Sequence, residues 1–163
     1  MTESVNADEI AATPICAELS RECVEKLALH MTQTRHPRDE VFYSEGSLEN
    51  NDLLVLLEGE MEIKAEQRYQ HVGSMKVTFK PGAVASLLGF VVGHPHVTTA
   101  KALTDCRVAR LSREQFAHIC ESHPPIAIAI LKYLVLRLDE SSATVLDRYK
   151  DAMVFMQNAY NRQ

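Results

Sequence analysis

Between Glu40 and Ser112 the chain is cut into short apolar or β-branched runs by turn-forming clusters, and this rhythm limits the fold more than any other feature. The runs are "EVFY", "DLLVLLEG", "EMEIKAE", "MKVTFK", "TTAKALT" and "RVARLS"; "HPRD", "SEGSLENN", "EGE" and "KPG" separate the earlier ones. Segments of this kind at regular spacing predict antiparallel strands that close into a sandwich or jelly-roll barrel.

Helical periodicity flanks the strands. Ser20 is placed to cap "RECVEKLALHM", with Val24, Leu27 and Leu29 as inward candidates. Ser112 is placed to cap "REQFAHICESH", and Pro124-Pro125 then opens a long helix running nearly to Gln163. The expected class is therefore α+β: a jelly-roll barrel with an N-terminal helix and a long C-terminal helix. The expected division is a flexible leader over 1–15, a helix and β-roll over 16–123, and the long helix over 124–163.

In that helix Leu138, Ser142, Val145, Tyr149, Ala152, Met156 and Ala159 recur at alternating steps of four and three, with Leu146, Met153 and Tyr160 flanking the stripe. At roughly 1.5 Å per residue the helix would be about 50 Å long, more than a barrel this small covers. A homodimer through this stripe is expected; packing of the same face on the chain's own barrel is the alternative.

Composition sets limits. At 163 residues the chain is one ordinary domain, and 46% apolar with 24% charged residues is a globular balance. A net charge of −5 opposes unspecific attraction to nucleic acid, whose binding is dominated by Lys and Arg on phosphates. "RVARLSR" gathers Arg107, Arg110 and Arg113, enough for a weak, salt-sensitive attachment without base reading. "MTESVNADEIAAT" lacks a basic segment followed by an apolar one, so no secretory signal is expected. "PIAIAILKYLVLRL" is too short for a bilayer, which needs about 20 apolar residues. A cytoplasmic protein without membrane insertion is expected. Cys16, Cys23, Cys106 and Cys120 lack zinc spacing and disulfide density, and read as free, mostly buried thiols.

The stretch "KPGAVASLLGFVVGHPHVTTAKALTDC", Lys80 to Cys106, has the outline of a loop and short helix built around a phosphate, yet carries no Asp, Glu, Lys or Arg from Pro81 to Ala100. With "VFYSEGSLENNDLLVLLEGEMEI" and "ALTDCRVARLSREQF", it resembles the cyclic-nucleotide-binding domain of the catabolite-activator (CRP/FNR-like) superfamily over about Leu19 to Leu146. The resemblance implies a cassette in which the Glu of a Gly-Glu-Leu segment takes the ribose hydroxyl and an Arg before Ser or Thr pairs with the cyclic phosphate. Gly-Glu-Leu falls here on Ser86-Leu87-Leu88, and the Arg-Ser/Thr pair on His96-Val97 with one loop residue deleted. Gly89, Thr98 and Thr99 remain as small or hydroxyl groups in the cleft, and Ser141-Ser142 match the pair that meets the base from the long helix. Losing both charged anchors costs roughly 3 to 4 kcal/mol, at least about a hundredfold in affinity. Restoring Glu at 87 and Arg at 96 is expected to raise it.

Other chemistries find less support. His94 and His96 flank Pro95, a pairing that suits a metal or haem, but no third ligand is near in sequence. Leu87, Leu88, Phe90, Val91 and Val92 could line an apolar pocket and read more simply as core. No nucleophile-base pair with catalytic spacing is present, so no enzyme activity, metal or cofactor is expected. Transcription factors of the resembled superfamily follow the long helix with a helix-turn-helix; this sequence ends within the helix, so specific DNA binding is not expected. The expected function is a dimeric adaptor for a partner protein. The alternative is a ligand-gated sensor of cyclic AMP, cyclic GMP, a cyclic dinucleotide or another small molecule.

Overall fold

The computed structural model describes residues 3–65 and 75–160, and leaves out the side chains of Glu3, Met75 and the helical positions 141–149, 151–153 and 155–160. It divides into two compact units, Met1–Ala129 and Ile130–Gln163.

In the first unit, β1 (Glu3–Ser4) leads to α1 (Ala7–Ala11), which begins where the Asn6 Oδ1 accepts the Asp8 N–H at 2.8 Å. A 3-10 turn at Pro14–Cys16 precedes α2 (Arg21–Leu29), capped as expected by Ser20, whose Oγ accepts the Cys23 N–H. The strands follow: β2 (Thr32–His36), β3 (Val41–Tyr43), β4 (Leu53–Glu58), β5 (Met61–Ala65), β6 (Met75–Phe79) and β7 (Val84–Ala85). Then come α3 (Leu87–Val92), β8 (Thr99–Ala102), β9 (Cys106–Leu111) and α4 (Arg113–Ser122). Ser112 Oγ caps α4 by accepting the Gln115 N–H at 3.1 Å. The helix α5 (Pro124–Tyr160) starts at its proline, where a missing N–H removes no intrahelical bond.

Two antiparallel sheets result, ordered β1-β2-β9-β4-β7 and β3-β8-β5-β6. Side chains alternate along each strand, so Leu54 and Leu56 of β4 share one face with Cys106 and Val108 of β9. They meet Phe42, Tyr43, Met61, Ala85, Ala100 and Ala102 in the core between the sheets, with Ile63 and Phe79 against it. Leu53, Val55, Ala109 and Leu111, of the opposite parity, are fully buried too. Both faces of this sheet are thus covered, which explains why β4 reads "LLVLLE" without the polar alternation of a half-exposed strand.

Several expectations need correction. The segment expected to be a loose leader carries β1, α1 and the 3-10 turn, and buries Val5, Ile10 and Ile15. Its acidic composition concealed a set of apolar residues spaced one to a structural turn. In α2, Val24 and Leu27 point inward but Leu29 is exposed and Ala28 takes the inward place, because residues three and four apart share a helix face and Leu29, five from Val24, falls off it. The polar strand β2 went unread. "TQTRH" has no strand-like apolar pattern, and its extended form comes from full pairing with β9, Thr32 opposite Arg110 through His36 opposite Cys106. All four cysteines are free; Cys16 and Cys106 are buried, whereas Cys120 is exposed.

In the second unit the helix continues from Ile130. Ile130 and Leu134 are buried, and Leu131, Val135, Leu136 and Leu138 are exposed. The stripe candidates Val145, Leu146, Tyr149, Ala152, Met153 and Met156, and the serines Ser141 and Ser142, lie outside the residues whose side chains are described. Among the described residues no helix is long and apolar enough to cross a membrane.

Candidate functional site

The cassette is tied to the barrel before α3 begins. The "KPG" turn closes with the Ala83 N–H on the Lys80 carbonyl, and Gly82 at φ +92° is the residue free to adopt that backbone. Gly82 N–H donates to Leu56 O and Leu56 N–H to Ala83 O, at 2.8 and 2.9 Å, which fixes the loop on β4. After β7, Ser86 sits in the left-handed region at φ +67°, a costly position for a residue with a Cβ. Its side chain caps nothing, and its buried Oγ has no hydrogen-bond partner. One and a half turns of helix follow, stopped at Gly93.

His96 does not stand open to a ligand. It is 5% exposed, with its ring stacked on Tyr43 at 3.9 Å between centroids and 12° between planes. Nε2 donates to the Glu49 carbonyl at 2.9 Å. Its backbone is held as well, N–H to Ser47 O at 2.9 Å and O from Gly46 N–H at 2.7 Å. Gly89 of α3 rests directly on this assembly: a Cβ there would stand 2.3 Å from Asn51 Oδ1 and 3.3 Å from His96 Cε1, so only glycine lets the helix come so near.

Tyr43 completes the closure. Its hydroxyl bonds the Thr98 side chain and the Ser86 backbone; burial, outweighing both bonds, pushes the phenol pKa up. Thr99 Oγ1 accepts the Glu45 N–H at 3.0 Å. Of the residues expected to line a pocket, Ser86, Gly89, His96, Thr98 and Thr99 do gather here, and all but the Ser86 hydroxyl are engaged with the protein itself. Leu87 is half-buried at the start of α3, while Leu88 and Val97 are exposed. Tyr43, Glu49 and Asn51 escaped sequence reading, since "VFY" read as strand and "SEGSLENN" as a separator.

The run Leu88-Val91-Val92, expected as core, lies outside it; only Gly89 and Phe90 of α3 are buried, with Phe90 against Phe116 at 5.0 Å. A helix this short has one inward face. His94 is exposed and His96 buried, so the two imidazoles flanking Pro95 do not share a site. Among the described residues no three His, Cys, Asp or Glu side chains are placed to hold a metal ion.

Two of the three clustered arginines are likewise paired. Arg107, buried on β9, bonds Glu9 of α1 at 2.6 Å, Gln33 of β2 at 2.9 Å and Glu58 of β4 at 3.0 Å. These bonds raise the guanidinium further above its ordinary value and hold the Glu9 and Glu58 carboxyls below theirs. Arg110 pairs with Asp52 at 2.8 Å, and Arg113 lies against Gly93. The expected attachment to phosphates through these three arginines loses two of its charges, those of Arg107 and Arg110, to acids of the chain itself, while Arg113 is exposed.

Two facing antiparallel sheets with a loop-helix cassette between β7 and β8 define a double-sheet jelly-roll domain. Residues 33–123, more than half of the chain, match the cyclic nucleotide-binding domain family, and the chain belongs to it. Among solved structures it is similar to the N-terminal domain of a transcriptional regulator from Streptomyces coelicolor A3(2), with 20% identity, a TM-score of 0.69, and 85% of this chain and 95% of that one covered. The Thermus thermophilus catabolite activator protein matches at 18% identity and a TM-score of 0.73; the alignment covers 85% of this chain and 63% of that one. A cyclic nucleotide-binding domain from Methylobacillus flagellatus matches at 22% identity and 0.71, covering 87% and 81%. At these identities the likeness is one of fold. No curated protein sequence matches the chain.

Proposed function

We propose that this chain is a non-enzymatic, cytoplasmic adaptor that keeps the cyclic nucleotide-binding fold but not the nucleotide, and works as a dimer that docks a partner protein. The observation that carries this reading is His96. At the place where the family's pattern calls for a phosphate-pairing arginine, an imidazole is buried, stacked on Tyr43 and bonded to the Glu49 carbonyl. Leu87, at the place of the ribose-binding Glu, has no polar side-chain atom. A ligand entering here would have to break internal bonds and would meet no charge in return.

The dimer rests on α5. Ile128, Leu131, Val135 and Leu138 are exposed and continue, at steps of three and four, the stripe that runs on through Val145, Tyr149, Ala152 and Met156. Free, partly buried thiols accord with a reducing compartment. The solved structures similar to this chain include a cAMP-binding acyltransferase from Mycobacterium smegmatis, at 14% identity and a TM-score of 0.57; the adaptor reading assigns no such chemistry to this chain.

A ligand-gated sensor is the second reading, and one observation favours it: Ser86 Oγ and Asn51 Oδ1 are buried beside the cassette without hydrogen-bond partners. Orphan polar atoms of this kind call for a water or a ligand. Solved neighbours include a Toxoplasma gondii regulatory domain with cAMP, at 15% identity and a TM-score of 0.66. Calorimetry with cyclic AMP, cyclic GMP and cyclic dinucleotides separates the two. The adaptor reading expects no saturable heat at submillimolar ligand; submicromolar binding of any of them removes it in favour of the sensor. For the dimer, Tyr149→Asp with Met153→Asp is expected to give a folded monomer by light scattering, because unpaired charge is costly in an apolar seam; an unchanged mass removes the seam.

A further inference from the structure

Three histidines far apart in sequence come together where α2 meets α4. His30, at the C-cap of α2, has its ring centre 5.3 Å from that of His118 on α4 and 6.0 Å from that of His123, the C-cap of α4. The first of these rings is already oriented. His30 Nδ1 lies 2.9 Å from Gln115 Oε1, an oxygen that can only accept, so Nδ1 carries the proton and Nε2 keeps its lone pair. An imidazole whose second nitrogen donates in this way is the usual form of a metal ligand, its tautomer and plane set in advance. His118 is exposed, so its ring can turn without disturbing the core.

From this we propose that His30 and His118 form a two-imidazole clasp for a divalent transition-metal ion, tying the end of α2 to α4. The spacing supports the pair. With nitrogen–metal bonds of about 2.1 Å, two imidazoles on one tetrahedral ion have ring centres about 5 Å apart, so the two backbones already stand at a suitable separation. His123 is set wider than that, and no three ligands converge among the described residues, so water completes the coordination. Imidazole nitrogens suit Ni2+, Cu2+ or Zn2+, whereas Mg2+ and Ca2+ take oxygen ligands. Nearby charge does not oppose a cation. Glu22 of α2 is within electrostatic reach of His123, and its carboxyl is held below its ordinary value chiefly by the Lys26 ammonium at 2.6 Å, so that pair leaves little net charge beside the clasp. A bound ion would brace the joint just ahead of α5, where His123 N–H donates to Ile119 O at 2.8 Å and His123 O accepts the Ile126 N–H at 2.9 Å. The clasp does not depend on what the cassette holds.

Calorimetric titration of the untagged protein with nickel sulfate or zinc chloride tests the clasp, with magnesium chloride as the control. One Ni2+ or Zn2+ per chain is expected, and no saturable heat with Mg2+. His118→Gln, on the surface and so compatible with an unchanged melting temperature, is expected to weaken binding by about tenfold or more, and His30→Gln likewise. Gln115→Leu keeps both ligands and removes only the group that orients His30; a loss of about tenfold is expected, the lower end for such a partner. The ion should also raise the melting temperature of the wild type, and not that of His118→Gln. Cys120, exposed on α4, is a competing ligand, and Cys120→Ser is expected to leave the affinity unchanged. Binding untouched by both histidine substitutions overturns the clasp, as does binding that Cys120→Ser alone removes. So does the lack of saturable heat with Ni2+ and Zn2+ up to about 1 mM.

Discussion

Two regions of this domain treat charge in opposite ways. On the outer face of the larger sheet a buried guanidinium, Arg107, is held by Glu9, Glu58 and Gln33, and so pins α1 and β2 to β9 and β4. In the cassette, where the family's pattern places a guanidinium for a ligand, there is no charge, and an imidazole-phenol stack occupies the interior. Each region satisfies its polar groups almost wholly from within the chain, and the difference lies in what is held. The first interaction fastens the N-terminal segment to the barrel. The second fastens the cassette to itself. A buried arginine is thus no sign of a ligand, and the loss of one elsewhere does not leave an empty site.

Tyr43→Ala should give the largest effect, because it removes a buried ring and leaves His96, Thr98 and the Ser86 backbone without their contacts. A loss of about 3 to 5 kcal/mol in urea unfolding is expected. A loss under about 1 kcal/mol would mean that the stack is not what closes the cassette.

Arg107→Ala comes next, at about 2 kcal/mol, since it removes the tie between four elements while the Glu9 and Glu58 carboxylates left behind, 35% and 60% exposed, still reach water. Its pH dependence carries a separate signature. The Arg107 hydrogen bond holds the Glu9 carboxyl below its ordinary 4.5. A depressed folded value contributes stability that is present above the unfolded pKa and lost as pH falls through the folded one. The gap between wild type and variant should therefore be steady at neutral pH and shrink below about pH 4.5, by urea unfolding across the acid range. A gap that is flat into strong acid would assign the loss to packing alone.

The double change Leu87→Glu with His96→Arg, which the sequence suggests as a repair of the site, should instead destabilise by about 2 kcal/mol and gain little nucleotide affinity. Arg at 96 must abandon the Tyr43 stack and the Glu49 carbonyl, and both new charges are drawn out of water, the one at 96 into a buried position and the one at 87 into a half-buried one. A gain of tenfold or more in cyclic AMP affinity, with the melting temperature kept, would show that the interior reopens easily. Smallest of all, Arg110→Ala breaks a partly exposed pair with Asp52 and should cost no more than about 1 kcal/mol. It should leave mobility-shift assays with DNA unchanged, as the paired arginines provide no free phosphate contact.

What could be read in the sequence follows from what is local. Ser20 and Ser112 cap the helices assigned to them, and the six apolar runs became β3, β4, β5, β6, β8 and β9 because turn chemistry and strand propensity agree at those points. β1, β2 and β7 were missed: two are only two residues long, and the third is made extended by its neighbour. The missing anchors at 87 and 96 were legible because an absent charge needs no structure to be noticed. Their replacement was not, since the hydrogen bond from His96 to Glu49 spans 47 positions and the Tyr43 stack a similar distance. Leu88, Val91 and Val92 read as core because apolar character does not say which face of a short helix turns inward.

The central claim, that the cassette is closed by its own side chains, is tested most directly at the backbone of the cassette. A cyclic AMP titration followed by amide chemical shifts should leave Gly89, His96, Thr98 and Thr99 unmoved at about 1 mM ligand, where a site retaining the two lost anchors would be saturated. Saturable shifts at these amides at micromolar ligand, with loss of the His96 ring-current effect from Tyr43, would contradict it.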